Sequence, residues 1–244
     1  MKDVMSDHTR LREDLAAAFR ITHQLGWSES VGNHFSAALS EDGKQFLLNP
    51  KWQHFATIRP EDLLTLHSDD TGVLDGPDAP DASAWCIHGT IHRKLPRARV
   101  ILHVHSPYAT ALACLKDPTM VPLDNNTARF HGRIAYDLDF GGIADAVEEG
   151  ERLADSLGDK DVLVMGNHGV TIIGETVAAA YEDLYFFEKA AQTVILTRST
   201  GQELAVLSEA VAANTAEGWK AYAGMADRHF AFLKSQLPVL GRND

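Results

Sequence analysis

The sequence predicts an α/β fold: a central mixed sheet flanked by helices, built as one domain over residues 1–244. Three observations predict it. Segments with apolar residues at helical spacing alternate with short β-rich runs along the whole chain. The chain is 45% apolar and 23% charged, enough apolar material for a real core. No linker rich in proline or glycine divides the 244 residues, a length suited to one large domain.

Residues 8–26 place Leu11, Leu15, Ala18, Phe19 and Ile21 at helical spacing, with Gly26 as a stop. SVGNHFSAAL alternates as a strand, EDGK is a hairpin turn, and QFLLNP is a second strand. Pro60-Glu61-Asp62 is a helix-start signal, and LLTLHS reads as a strand. Residues 69–84, rich in Asp, Gly, Pro and Ser, form a long loop. Ala84 to Leu95 reads as a helix and VILHVH as a buried strand. SPYATALACL opens with Ser106-Pro107, an N-cap and N1 pair. Ile143 to Leu157 is helical, DVLVMGNHG is strand then loop, and VTIIG is a strand. Glu175 to Gly201 is a long amphipathic helix, and residues 203–237 are mostly helical.

The net charge of -12 is spread along the chain and argues against nucleic acid, which requires a basic footprint. Cys86 and Cys114 form no CxxC pair and no disulfide framework, which suits a reducing compartment. MKDVMSDHTR has no apolar h-region, and no run reaches the ~18 apolar residues of a membrane span. The expectation is a cytoplasmic protein with a small-molecule partner and no membrane contact.

The chemistry-bearing residues are histidines. In VILHVHSP, His103 and His105 share one face of an extended strand. They are either two ligands to one metal or two satisfied histidines at a strand end. Asn167-His168-Gly169 puts another histidine where a strand gives way to a turn, with Gly166 and Gly169 allowing unusual backbone angles. Three histidines at two strand exits make a three-imidazole site with open coordination positions. His88 and His92 are spaced i, i+4 on a helix, without the glutamate of the zincin pattern. One is expected either to support the metal ligands from behind or to line the substrate pocket, and the other to lie at the surface or in packing. His34, in GNHFS, either reaches a substrate or satisfies a carbonyl. His8, His23, His54 and His67 have no supporting context.

Several segments together resemble the class II aldolase/adducin family: GNHFS at 32–36, FLLNP at 46–50, PEDLLTL at 60–66, the stretch from His88 through IHRKLPRARVILHVHSPYATALA, and LVMGNHGVTIIGETVAAAYEDLYFFEKAAQ at 163–192. The resemblance spans roughly residues 10–235. It implies a three-layer α/β/α fold and a homotetramer with active sites at subunit interfaces. It implies a divalent metal, zinc or manganese, on His103, His105 and His168. Members include sugar-phosphate aldolases, an epimerase, a dehydratase and decarboxylases; adducin-type members have lost catalysis.

This chain departs from that pattern at two places. The Ser-Ser-Glu segment of the aldolases, whose glutamate is the general acid/base, aligns with Ala82-Ser83-Ala84, so the glutamate position holds Ala84. Their Thr-Pro-Thr-Gly-like phosphate segment is replaced by Asn49-Pro50-Lys51-Trp52. A sugar phosphate is therefore not expected as substrate. Decarboxylation needs no base for bond cleavage, and a histidine near neutral pH suits either proton role. His34, His88 and His131 are the candidate acid/base groups. Asn33, Ser83, Arg129, Tyr222 and His229 are the candidate substrate-binding residues. Arg129 or Arg133 either holds a carboxylate or belongs to a solvated basic loop. Tyr222 and His229 lie where relatives often reach into a neighbouring subunit's site. The expected activity is a metal-dependent carbon–carbon lyase, aldolase or decarboxylase, acting on a small carboxylated or hydroxylated substrate. The alternatives are a non-catalytic adducin-like protein, or an epimerase or dehydratase on the same site.

Overall fold

A computed structural model describes residues 2–76, 79–139, 147–222 and 224–241. Its strands are β1 (His34–Ala38), β2 (Gln45–Leu48), β3 (Leu64–His67), β4 (Val100–Val104), β5 (Ile134–Asp137), β6 (Val162–Met165) and β7 (Gly169–Gly174). Its α-helices are α1 (Lys2–Gln24), α2 (Ala82–Lys94), α3 (Pro107–Ala113), α4 (Asn125–Ala128), α5 (Val147–Leu157), α6 (Val177–Ser199), α7 (Glu209–Trp219) and α8 (Met225–Ser235). The strands form one mixed sheet in the order β3-β2-β1-β4-β7-β6-β5. Only the β5–β6 pair is parallel.

Strand alternation divides the side chains between two helical layers. On β1, Phe35 and Ala37 join the larger core, as do Val100, Leu102 and Val104 on β4 and Val170 and Ile172 on β7. Helices α1 and α6 close that core: Leu15, Phe19 and Ile21 meet Tyr181, Leu184 and Phe187. Phe19 stacks on Phe35 at 4.7 Å and meets Phe55 edge-on at 4.6 Å. Each fully buried phenylalanine contributes roughly 1.5–3 kcal/mol. The alternate residues Ile101 and Ile173 face Ile87 and Ile91 of α2 and Leu153 and Leu157 of α5. The expected three-layer α/β/α arrangement follows from this split. Among the described residues no helix is long and apolar enough to cross a membrane.

The element boundaries depart from the sequence reading at several places. Pro60-Glu61-Asp62 starts no helix: the Asp62 carboxylate accepts from Arg59 N and from Gln53 Nε2, both at 2.8 Å. The capping oxygen closes a turn instead. Asp81, not a residue further on, caps α2 by accepting from Ala84 N at 3.1 Å, so the helix begins at Ala82 inside the expected loop. That loop also holds a short 3-10 helix, Thr71–Asp75. Strand β5 and the single-turn α4 carry too short an apolar pattern to read from sequence. The helical region expected at 203–237 divides into α7 and α8, with Gly224 at a φ of 77° before α8. Of the helix expected from Ile143 to Leu157, residues 143–146 lie outside the described residues and Val147–Leu157 forms α5.

Helices α2 and α5 approach closely because Gly150 carries no side chain. A Cβ there would stand 2.5 Å from the Cys86 carbonyl oxygen and 3.0 Å from Thr90 Oγ1. Gly150→Val is expected to lower unfolding stability by about 1–3 kcal/mol through overpacking. Denaturant titration tests this, and an unchanged midpoint would mean that α5 moves away from α2 at no cost.

Candidate functional site

Strand register builds the site. β1 pairs with β4 so that His34 stands opposite His103, and β4 pairs with β7 so that His103 stands opposite Thr171. All three residues point to the α2 side of the sheet, out of phase with the larger core. His105 follows two residues after His103, just beyond the strand end. His168 arrives from the turn between β6 and β7. Ligand atoms of His103, His105 and His168 all lie within 4.8 Å of one another.

The turn does not work as its glycines suggest. The residue in the left-handed region is Asn167, at φ 53°, one of the few side chains that tolerate it. Gly166 and Gly169 have no positive φ; they supply space. A Cβ on Gly169 would sit 2.5 Å from the Val104 carbonyl oxygen and 2.8 Å from the His105 ring. A Cβ on Gly166 would sit 2.9 Å from Leu138 Cα. Small residues thus let the turn press His168 against the other two imidazoles, with ring centroids 4.8 and 4.7 Å away.

Hydrogen bonds orient the rings. Thr171 Oγ1 directs its proton to Met165 Sδ at 3.4 Å, leaving its oxygen to accept from His103 Nδ1 at 3.1 Å. His105 Nδ1 donates to the Glu29 carboxylate. In neutral rings both Nε2 atoms then carry lone pairs, and they face each other at 3.1 Å. Burial, with nearby imidazoles adding to it, holds His103 well below the usual histidine range and His168 down at about 4. Three imidazoles whose ring nitrogens converge, two of them with Nδ1 partners, fit a divalent cation, which histidine binds through an unprotonated nitrogen.

The segment after His105 is anchored from α6. Buried Glu188 accepts from Ser106 Oγ at 2.7 Å, Tyr108 N at 2.8 Å and Ala109 N at 2.9 Å. Ser106 and Pro107 hold the N-cap and N1 positions, as expected, but the cap hydrogen bonds come from this distant carboxylate. A negative charge at a helix N-terminus is favourable.

Beside the three histidines lies a cavity of about 180 Å³ lined by Asn33, His34, Asn49, Lys51, Asp81 and Ser83, among others. His34 joins the two regions: its ring lines the cavity and stacks on His103 at 4.8 Å. Asn33 Nδ2 is buried without a hydrogen-bond partner, a donor aimed at nothing in the described chain. Burial would raise the Asp81 carboxyl, but hydrogen bonds from Ser83 and from Ala84 N–H outweigh it and hold it below the usual range. Ala84, at the glutamate position, also lines this cavity.

The remaining candidates are placed differently. His88 is fully buried, and both ring nitrogens bond inside the protein, to His34 and Ser36. Arg129 is held by Asp183 at 3.0 Å, its guanidinium over the Phe186 and Trp219 rings. His131 Nε2 is 3.0 Å from Glu209 at the start of α7. Both precede Ile134, which pairs with Val162, whereas His168 follows Met165 at the other end of the parallel β5–β6 pair. Within one chain, Arg129 and His131 therefore stand at the opposite edge of the sheet from the three histidines. Tyr222 is exposed beside Trp219, and His229 pairs with Glu182. Sequence reasoning missed Glu29, Thr171 and Ser36, and it left open a surface position for one of His88 and His92, both of which are fully buried. Only tertiary register joins them to the site; Glu29 stands in a polar turn with no motif around it.

Fold and side chains together define an α/β protein with a three-histidine centre at the strand ends. The chain belongs to the class II aldolase/adducin family: the model for the class II aldolase and adducin N-terminal domain matches residues 13–195. It is 29% identical over 248 residues to an adducin-related protein of Schizosaccharomyces pombe, covering 98% of this chain and 74% of that one. It is 26% identical over 214 residues to the decarboxylase NovR of Streptomyces niveus, covering 85% and 79%. The crystal structure of an aldolase II superfamily protein from Pseudomonas syringae superposes with a TM-score of 0.84 at 30% identity, covering 94% and 92%.

Glu29→Ala removes the acceptor that fixes the His105 ring. Metal affinity, read by competition with a chelator, is expected to fall about 10- to 100-fold with the fold intact. Unchanged affinity would show that His105 is oriented without Glu29.

Proposed function

We propose that the chain is a metal-dependent carbon–carbon lyase, of aldolase or decarboxylase type, acting on a small carboxylated or hydroxylated substrate without a phosphate. The observation that carries this reading is the convergence of the His103, His105 and His168 ring nitrogens. Zinc and manganese are the candidate ions, and imidazole donors favour zinc. A divalent cation held there supplies the Lewis acid that stabilises negative charge on a substrate oxygen when a carbon–carbon bond breaks.

The chain's own residues supply the remainder. His34 is the candidate to take or return a proton, a role supported by its position on the cavity wall and its stacking on His103. Asp81 is the weaker candidate: its Oδ1 already accepts from Ser83 and Ala84, which keeps it ionised and a poor base. The unpartnered Asn33 amide donates to a substrate oxygen, and the Ser83 hydroxyl offers a second polar contact. Lys51, on the cavity wall, matches a substrate carboxylate. Alanine at position 84 favours decarboxylation, in which cleavage needs no base, over aldol cleavage.

A non-catalytic, adducin-like role is the second reading, supported by Ala84 and by the adducin-related relative. Metal content by mass spectrometry separates the two. About one ion per chain, lost in His103→Ala together with lyase activity while the circular dichroism spectrum stays unchanged, supports the enzyme. No uptake of zinc or manganese by the wild type would overturn it.

A further inference from the structure

Behind His34 runs a chain of hydrogen bonds that no solvent reaches. His34 Nδ1 is 2.7 Å from His88 Nε2, and His88 Nδ1 is 2.5 Å from Ser36 Oγ. Ser36 Oγ is 2.7 Å from His92 Nε2, and His92 Nδ1 is 2.6 Å from the Ala98 carbonyl oxygen. Ser36, His88 and His92 are each fully buried, and His34 nearly so. β1 supplies His34 and Ser36 on one face; α2 supplies His88 and His92 one turn apart.

The far end of this chain determines every proton in it. A carbonyl oxygen only accepts, so His92 Nδ1 carries hydrogen. His88 and His92 are fully buried and no carboxylate is among their hydrogen-bond partners, so each ring is neutral with one proton. His92 Nε2 is then an acceptor, and the Ser36 hydroxyl must donate to it. Ser36 has no second proton, so its oxygen accepts from His88 Nδ1. His88 Nε2 becomes an acceptor, and His34 Nδ1 donates to it. His34 Nε2 is left with a lone pair. A single reversed proton would leave two donors or two bare acceptors facing each other in a buried site. Each such unsatisfied group costs about 1–3 kcal/mol.

We propose that His88, Ser36 and His92 are positioning residues that hold His34 in the Nδ1–H tautomer and present its bare Nε2 to the cavity as a proton acceptor. The value of this arrangement for catalysis rests on the lyase reading, since a base that carries its hydrogen on the wrong nitrogen accepts nothing. The tautomer itself does not rest on that reading.

The experiment uses the full chain with nitrogen-15-labelled histidine, His34 being assigned from its loss in His34→Gln. Long-range proton–nitrogen correlation spectra distinguish Nδ1–H from Nε2–H rings directly. Wild type is expected to show the Nδ1–H pattern for His34, His88 and His92; an Nε2–H pattern at His34 overturns the proposal. Ser36→Ala cuts the chain, and His34 is expected to lose its single Nδ1–H pattern while His92 keeps its own. Retention of that pattern at His34 overturns the proposal. If Ser36→Ala does not fold, His92→Leu cuts the same chain. His92→Gln restores an amide able to donate to Ala98 O and accept from Ser36, and it is expected to restore the His34 pattern. Zinc uptake on the same samples is read separately: wild type without zinc but with the Nδ1–H pattern sinks the lyase reading and leaves the tautomer assignment standing.

Discussion

The structure depends on the antiparallel register of β1, β4 and β7. It sets His34 opposite His103 and His103 opposite Thr171, all facing α2. A slip of one residue along any of these strands would exchange the two faces. Imidazoles would enter the core built on Phe35, Leu102 and Ile172, and those apolar groups would face the site. The large core on one side of the sheet therefore specifies the polar layer on the other. The stability of the first fixes the geometry of the second.

That polar layer is buried, and burial makes its demands specific. Desolvation disfavours the charged form of His34, His88, His92 and His103. Each ring nitrogen needs a partner of the right kind instead. Thr171, Glu29, Ser36 and the Ala98 carbonyl provide those partners from four separate elements or loops. The neighbouring backbone is also close to its limits. Gly166 and Gly169 have no room for a methyl group, and Glu188 satisfies the α3 N-terminus that follows His105. These contacts restrict how the rings of His103 and His105 can turn, which suits a pre-organised centre.

The family context sharpens this chemistry. Relatives include an adducin-related protein and a decarboxylase, so the shared fold does not by itself decide between scaffold and enzyme. Function must be argued from the site. Here the site keeps three converging imidazoles, holds alanine at position 84, and has a buried histidine, His34, that stacks on His103 and lines an adjoining cavity.

The sequence by itself determined the fold class, most helices and strands, and the histidines to watch. Periodicity reports burial, and an H-x-H pair on a strand reports a shared face. The family was legible from motifs around positions 33, 103 and 168. What it left open was decided by contacts between residues far apart in the chain. Asp62 closes a turn although its neighbourhood reads as a helix start, because a side-chain acceptor serves either structure. His88 is a buried link and not a free pocket group, because Ser36 and His34, more than fifty residues earlier, take both of its nitrogens. Arg129 reads as a carboxylate ligand but is satisfied by Asp183. Local sequence records which groups can form hydrogen bonds; only the tertiary structure decides which partner each one meets.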